Sequence, residues 1–455
     1  MAHCELQQDA IVDNFIRYMR KMSLVNSSDY SRIESSLRTL CDAASNRKQK
    51  SDSAIWVWKY FFERSLGEMS DGNLRGCEEL LDYFDEYAEY ENLLFALDKA
   101  YRDHVIHCIW VMLIGFYLNK AFPVFRVMRY PVHNSTQKGS KKYIETEKGM
   151  DEVFSIMEGR HDALWCLIAL THDLGYPIQK TRGANQVMSR MISHFGFLNL
   201  KELEYDFMIV HQTAIEQLLQ ALSYTFVWAS PQELVLMSDP GTRLDYAKSF
   251  ERLDHGIMSA YLVENTIDFI CDSMSWPEGK RDIASEYIEP EHAAKMILVS
   301  TWLSAMAAHT NANFYTDDIQ DQLELLFLCD ELDEFSRYAR SVSSGDWTDV
   351  KCRTELTATA TKLAVQYTFD NKDVAEDTEP FFKRKLTKLH GRYSLAVGTN
   401  EGLRKVSLTC RDIRKAKADE FTYEKGSKGD ELKRTGHKSS HDVRGYLQGR
   451  VTLTD

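Results

Sequence analysis

Apolar residues return every three or four positions through most of this chain of 455 residues, and only eight prolines interrupt them. That spacing is the mark of helices with one face turned to a core. The strongest helical segments are 55–66, 77–97, 105–118, 207–222, 293–308 and 323–339. Strand signals are weak before residue 360, whereas 393–397 and 406–410 flank a Gly-containing stretch, 398–402, and predict a small hairpin. The expected fold is mainly α in three parts: a helical N-terminal region over 1–100, a helical core over 101–345, and a small α+β extension over 346–455. No repeat of 20 to 50 residues is visible.

With 44% hydrophobic residues, a chain of this length can build two or three sizeable cores. Its net charge of −13 argues against a general nucleic-acid binder, whose phosphate contacts need clustered Lys and Arg. The charge is uneven. Between Asn119 and Ile144 there is no acidic residue, while Lys120, Arg126, Arg129, Lys138, Lys141 and Lys142 all fall there. Such a stretch is either a solvated loop or a local focus for an anionic substrate, with a Gly- and Ser-containing tip at 134–140 that suits a lid. Residues 381–455 carry 18 Lys plus Arg against 9 Asp plus Glu, and within them 425–440 reads as a polar, mobile stretch.

Nine cysteines show no Cys-x-x-Cys pair and no secreted-framework spacing, which fits free thiols in a reducing compartment and argues against structural zinc. Cys108, Cys166 and Cys329 lie in apolar runs, as small hydrophobes would. The first residues lack the basic and apolar regions of a signal peptide, and the longest apolar run, 105–118, is short for a membrane span. A cytoplasmic protein with no membrane partner is expected; the sequence leaves homo-oligomer formation open.

The chemistry concentrates at His172-Asp173. The apolar run before it, 163–170, reads as a buried helix that delivers the pair at its C-terminal end, and Gly175 and Pro177 then stop it. An imidazole beside a carboxylate can serve one ion and bridge to a second. The same dipeptide recurs at His161-Asp162 and His441-Asp442. His161 is at the opposite end of the same helix, about 16 Å away, so the two pairs cannot share a centre, and the first copy reads as a charged helix start facing water.

Further potential ligands recur around the middle copy in a recognisable order: His107 in an apolar helix, His172-Asp173, His255 before Gly256 and a small-residue helix start, His309 after two alanines, and Asp330 after Leu-Phe-Leu-Cys. This ordered set resembles the HD-domain superfamily of metal-dependent phosphohydrolases, over about residues 101–345. The gap between His107 and His172 is long for that family, and His104, His211 and His292 are alternative imidazoles. The resemblance implies a helical-bundle core in which His107, His172, Asp173, His255, His309 and Asp330 bind two divalent metal ions, with Mn, Fe, Ni, Co or Zn suiting these donors better than Mg. It further implies hydrolysis of a phosphoester, of a nucleotide or another small phosphorylated molecule, by metal-activated water with Asp173 bridging. Lys180 and Arg182, just beyond the helix stop, are candidate phosphate contacts. Two other classes share the ligand order: mixed-valence di-iron oxygenases of the same superfamily, and a non-catalytic nucleotide-binding sensor.

Overall fold

The computed structural model describes residues 3–97, 103–125, 132–134, 151–195, 212–230, 233–274, 290–311, 313–316, 319–336, 339–340, 347–348, 352–372, 377–395, 402–414, 418–427 and 429–453. In chain order its elements are β1 (His3–Leu6), α1 (Gln8–Met19), α2 (Tyr30–Cys41), α3 (Arg47–Met69), α4 (Cys77–Leu97), α5 (His104–Ala121), β2 (Val132–Asn134), α6 (Asp151–Gly159), α7 (His161–Thr171), α8 (Tyr176–Ser193), α9 (Gln212–Leu222), β3 (Tyr224–Ser230) and β4 (Glu233–Ser238). They continue with α10 (Pro240–Glu251), α11 (His255–Thr266), α12 (Asp268–Met274), α13 (Pro290–His309), α14 (Gln322–Leu332), β5 (Ala339–Arg340), β6 (Trp347–Thr348), β7 (Arg353–Thr359), β8 (Lys362–Phe369), α15 (Thr378–Arg392), β9 (Lys405–Asp412), β10 (Asp419–Gly426), β11 (Gly429–Arg434) and α16 (Val443–Leu447). The chain is mostly helical with a six-stranded mixed sheet near its C-terminus. It forms two compact units, each assembled from separated stretches: 1–58 with 91–128 and 312–455, and 59–90 with 129–311.

The first unit is built on α5 and the six-stranded sheet. Asp103 caps α5 by accepting from the Ile106 amide at 3.1 Å, and the helix is apolar around most of its circumference, so it is buried along nearly its whole length. Phe15 of α1 lies against Phe116 with ring centroids 5.2 Å apart, and Trp110 against Phe335 at 4.9 Å. By length and composition α5 would pass for a membrane span, yet 78% of it is buried inside the protein and it carries two buried imidazoles, as a core helix does. The sheet runs in the order β1-β7-β8-β9-β10-β11, antiparallel throughout except for the β8–β9 pair. Parallel neighbours cannot be joined by a tight turn, and α15 makes the crossover between them. Its Phe381 and Phe382 pack on Phe369, Tyr367 and Phe421 at ring separations of 5.0, 5.1 and 5.6 Å.

The second unit is organised around α13, buried from Ala293 to His309 except at a few positions. The indole of Trp302 donates to the Thr171 hydroxyl at 2.9 Å, which pins the C-terminal end of α7 to α13. On another side α11 comes so close that a Cβ on Gly256 would sit 2.3 Å from the Met306 carbonyl oxygen. Only glycine allows that approach. A three-stranded sheet, with β2 parallel to β3 and β3 antiparallel to β4, completes the described part of this unit.

Most expected helices are present with extended ends, but several expectations need correction. The helix expected over 323–339 stops at Leu332, because Asp333 is extended and Ala339 begins a strand. Strands do occur before residue 360, β1 through β7, of which β1 and β7 pair over four residues each, His3 to Leu6 with Thr357 to Thr354. The hairpin expected from 393–397 and 406–410 does not form, since 406–410 lies in β9 between β8 and β10, and Tyr393 instead bridges Thr316. The stretch 425–440, expected to be mobile, carries β11 and the hairpin it makes with β10. There Phe421, Tyr423 and Leu432 are buried, an alternation diluted in the sequence by intervening Lys, Glu and Thr. His161 does not face water as a charged helix start would; it is half-buried, and burial pushes its pKa down to about 4. Apart from β2, the basic stretch after Phe125 with its tip at 135–140, and also residues 207–211 and 396–401, lie outside the described residues.

Glu264 on α11 is a buried carboxyl whose Oε2 has no hydrogen-bond partner, and burial raises its pKa from 4.5 to about 7. A carboxyl with a raised pKa holds its proton more tightly in the folded chain, so stability falls as pH rises from about 4.5 to about 7. Glu264→Gln removes this fall. Urea unfolding across that pH range should show the variant matching wild type at low pH and exceeding it by a few kcal/mol at most above pH about 7; parallel pH profiles would sink the assignment.

Candidate metal centre

In the second unit four polar side chains meet where helix ends converge. His172 follows the last residue of α7, His309 is the last residue of α13, and His255 is the first of α11. Asp173 lies between them, in the turn that leads into α8. The last carbonyls of a helix have no partner within it. His172 and His309 use this: the Nδ1 of His172 donates to the Ala169 carbonyl at 2.8 Å, and that of His309 to the Met306 carbonyl at 2.6 Å. The Nδ1 of His255 meets Gln179 Oε1 of α8 at 2.6 Å.

These contacts fix the protonation pattern. A carbonyl oxygen only accepts, so each Nδ1 carries the hydrogen, and in a neutral ring Nε2 then presents a lone pair. All three Nε2 atoms point at one carboxylate: His255 is 3.2 Å and His309 3.6 Å from Asp173 Oδ1, and His172 is 3.5 Å from Asp173 Oδ2. Lone pairs facing carboxylate oxygens repel unless a cation lies among them. The Nε2 of His309 is moreover a buried nitrogen with no hydrogen-bond partner. Donor atoms about 2.1 Å from one ion at tetrahedral to octahedral angles are themselves about 3.0–3.4 Å apart. The His172–Asp173–His309 group, whose ligand atoms all lie within 4.8 Å of one another, therefore fits a metal ion. Burial by itself would raise the pKa of Asp173, but positive charge on the side of His172, His255 and His309 outweighs burial and holds the carboxyl well below the usual range.

The backbone around this cluster is fixed at close quarters. The Gly175 amide donates to the Ser259 hydroxyl at 2.8 Å, and that hydroxyl donates to the His172 carbonyl at 2.7 Å. A Cβ on Gly175 would lie 2.3 Å from the His255 carbonyl oxygen, so the turn after Asp173 can press onto α11 only as glycine. Tyr83 adds a hydroxyl bond to the Leu174 carbonyl at 2.5 Å.

The first unit holds a second His–carboxylate arrangement. His107 on α5 has its Nε2 3.1 Å from Asp330 Oδ1 on α14, while its Nδ1 is 2.6 Å from Asp333 Oδ2. Asp333 in turn accepts from the Ser336 hydroxyl and from the Phe335 amide at 2.9 Å. A carboxylate behind an imidazole raises its basicity and fixes its orientation, as carboxylates behind metal-binding histidines do.

Two of the three rival imidazoles have described positions. His104 is bound through Nδ1 to Glu91 at 3.1 Å. His292 starts α13, seventeen residues before His309 and so about 25 Å along the helix, and His211 lies outside the described residues. Lys180, on α8, rests with its Nζ 5.0 Å from the centre of the Tyr176 ring. Arg182 is on the same helix, its side chain outside the described residues. Sequence reasoning missed Asp333, Gln179 and Ser259. Asp333 had a usable signal, an acid one helical turn after Asp330; Gln179 and Ser259 had none, because their roles depend on which helices meet.

No family model, curated protein or solved structure matches the chain.

The geometry makes metal binding directly measurable. Mn(II) should raise the unfolding midpoint of the chain by mass action. Asp173→Asn and His309→Ala should each abolish most of that rise, and Gln179→Ala should weaken affinity by about 10- to 100-fold, the usual cost of losing a residue that orients a ligand. Wild type whose midpoint ignores Mn(II), Co(II) and Zn(II) alike would show that the cluster is not a metal site.

Proposed function

We propose that the protein is a metal-dependent phosphohydrolase of the HD-domain type, acting on a phosphoester of a nucleotide or another small phosphorylated molecule. The observation that carries this reading is the set of three Nδ1-anchored imidazoles aimed at the Asp173 carboxylate. The HD-type order then adds His107 and Asp330 to the ligands. Divalent ions supply a lowered pKa for bound water and positive charge for the phosphoryl oxygens.

The remaining work falls to the chain. Asp173 offers an imidazole-facing oxygen on each side, Oδ1 toward His255 and His309 and Oδ2 toward His172, which suits a bridging carboxylate and two ions. His172 and His309 are locked by main-chain carbonyls, so little reorganisation is needed when charge builds up. Lys180, one turn into α8, is the proposed phosphate contact that this helix offers, with Arg182 beside it in sequence. The donor set is rich in imidazole, so Mn, Fe, Co, Ni or Zn is favoured over Mg. The same donors also suit a di-iron oxygenase, and oxygen consumption with Fe(II) distinguishes that chemistry from phosphate release.

A screen of nucleoside mono-, tri- and cyclic phosphates with Mn(II), Ni(II) and Co(II) should find phosphate release. Asp173→Ala should abolish it while the far-UV signal and metal-free unfolding midpoint stay close to wild type, because Asp173 is the carboxylate that all three imidazoles face and would hold the metal with them. Lys180→Ala should raise KM about tenfold or more with a smaller effect on kcat, as the loss of a charge-assisted phosphate contact does. Phosphate release unchanged in Asp173→Ala would place the activity elsewhere.

A further inference from the structure

The end of α14 concentrates negative charge where charge is costly. Asp330, Glu331, Asp333 and Glu334 occupy four of five consecutive positions, and none is more than 7% exposed. Asp333 is taken up by His107 and Ser336. The β8–α15 crossover of the same unit brings lysines to the other three.

Lys385 of α15, only 4% exposed, places its Nζ 2.7 Å from Glu334 Oε1 and 3.3 Å from Glu331 Oε2. It also donates to the Glu331 main-chain carbonyl at 2.5 Å. Tyr367 of β8 donates its hydroxyl to that same carbonyl at 2.8 Å. Lys388, about one turn beyond Lys385, donates to Glu331 Oε1 and stands 3.9 Å from Asp330 Oδ2. Asp330 thus has one oxygen toward Lys388 and the other toward His107.

Simple packing does not call for this. Burying a lysine and two glutamates costs several kcal/mol per ion before their attraction returns any of it, and apolar side chains would join α14 to α15 more cheaply. What a polar network supplies instead is one defined geometry. Here every bond of the network ends within four residues of Asp330. Two donors also converge on a single end-of-helix carbonyl, which fixes the last turn of α14 in both translation and rotation.

We propose that Lys385, Tyr367 and Lys388 are positioning residues for Asp330, so that the C-terminal sheet and α15 form the frame that keeps this carboxylate facing His107. The proposal rests on Asp330 being a metal ligand and is independent of which reaction the metal serves. It gives the C-terminal region a defined task in the site without contact with substrate.

The test uses the full chain, with Mn(II) titrated by calorimetry and urea unfolding of the metal-free protein measured in parallel. Tyr367→Phe removes one hydroxyl and should weaken Mn(II) binding about tenfold, while the metal-free unfolding midpoint stays near wild type. Lys388→Ala should weaken binding similarly, and Lys388→Arg should restore it. In an Asp330→Asn background, Tyr367→Phe should cause no additional loss, since the two act through one carboxylate. Wild-type affinity in both Tyr367→Phe and Lys388→Ala overturns the proposal, as does a tenfold loss that persists in the Asp330→Asn background. Lys385→Met takes the ammonium away from buried Glu334 and leaves Glu331 with Lys388 alone, so it can fail to fold; the two milder variants then decide. Wild type that binds no Mn(II) overturns the ligand reading of Asp330 along with this proposal, whereas wild-type binding with indifferent variants overturns this proposal alone.

Discussion

A neutral imidazole has one nitrogen that donates and one that accepts, and committing the donor determines where the acceptor points. In the second unit that commitment is made by main-chain carbonyls at the ends of α7 and α13 and by Gln179. Each contact is local to a helix end or to one helix pair. Their joint result is that three accepting nitrogens face Asp173, an arrangement that electrostatics tolerates only with positive charge among them. Much of the packing around this unit serves that convergence. The Trp302–Thr171 bond holds α7 on α13, while Gly256 and Gly175 let α11 approach α13 and the turn after Asp173 within distances no other residue permits.

The first unit meets a related difficulty with the opposite sign. Four acidic residues crowd the end of α14, and burial alone would push their protons on. Burial raises the Glu331 pKa, but Lys388 and Lys385 outweigh it and hold the carboxyl low. His107 is drawn into the same balance through Asp333 on one nitrogen and Asp330 on the other. The supporting lysines reside on α15, a helix whose position follows from the topology of the sheet: a parallel β8–β9 pair requires a crossover, and the crossover lays α15 where its aromatic face covers the sheet and its basic face meets α14. Sheet register and side-chain electrostatics are coupled at this point.

Helices and their burial were legible in the sequence because helical periodicity is a local property. The segment 77–97 agrees with α4 residue for residue, and α5 and α13 differ from expectation by only a few residues at their ends. The His172-Asp173 pair at the end of a buried helix was legible for the same reason. The sheet was not. Its β1 and β7 strands pair across about 350 residues of chain, and β9 was assigned to a hairpin because sequence proximity favours 393–397 as a partner, when pairing with β8 and β10 buries its Val406, Leu408 and Cys410 more completely.

The sequence by itself determined the mainly helical character, the buried helix that presents His172-Asp173, and the inventory of imidazoles and carboxylates from which a site could be drawn. Tertiary structure alone decided which of them converge: that His255 and His309 turn Nε2 to Asp173 while His104 bonds Glu91 through Nδ1 and His292 is in the first turn of α13, far from His309. It also decided that Asp333, Gln179 and Ser259 matter. The physical reason is that ligand character depends on which ring nitrogen remains free after the other is bonded. That is settled by partners on other helices, and periodicity along the chain carries no record of them.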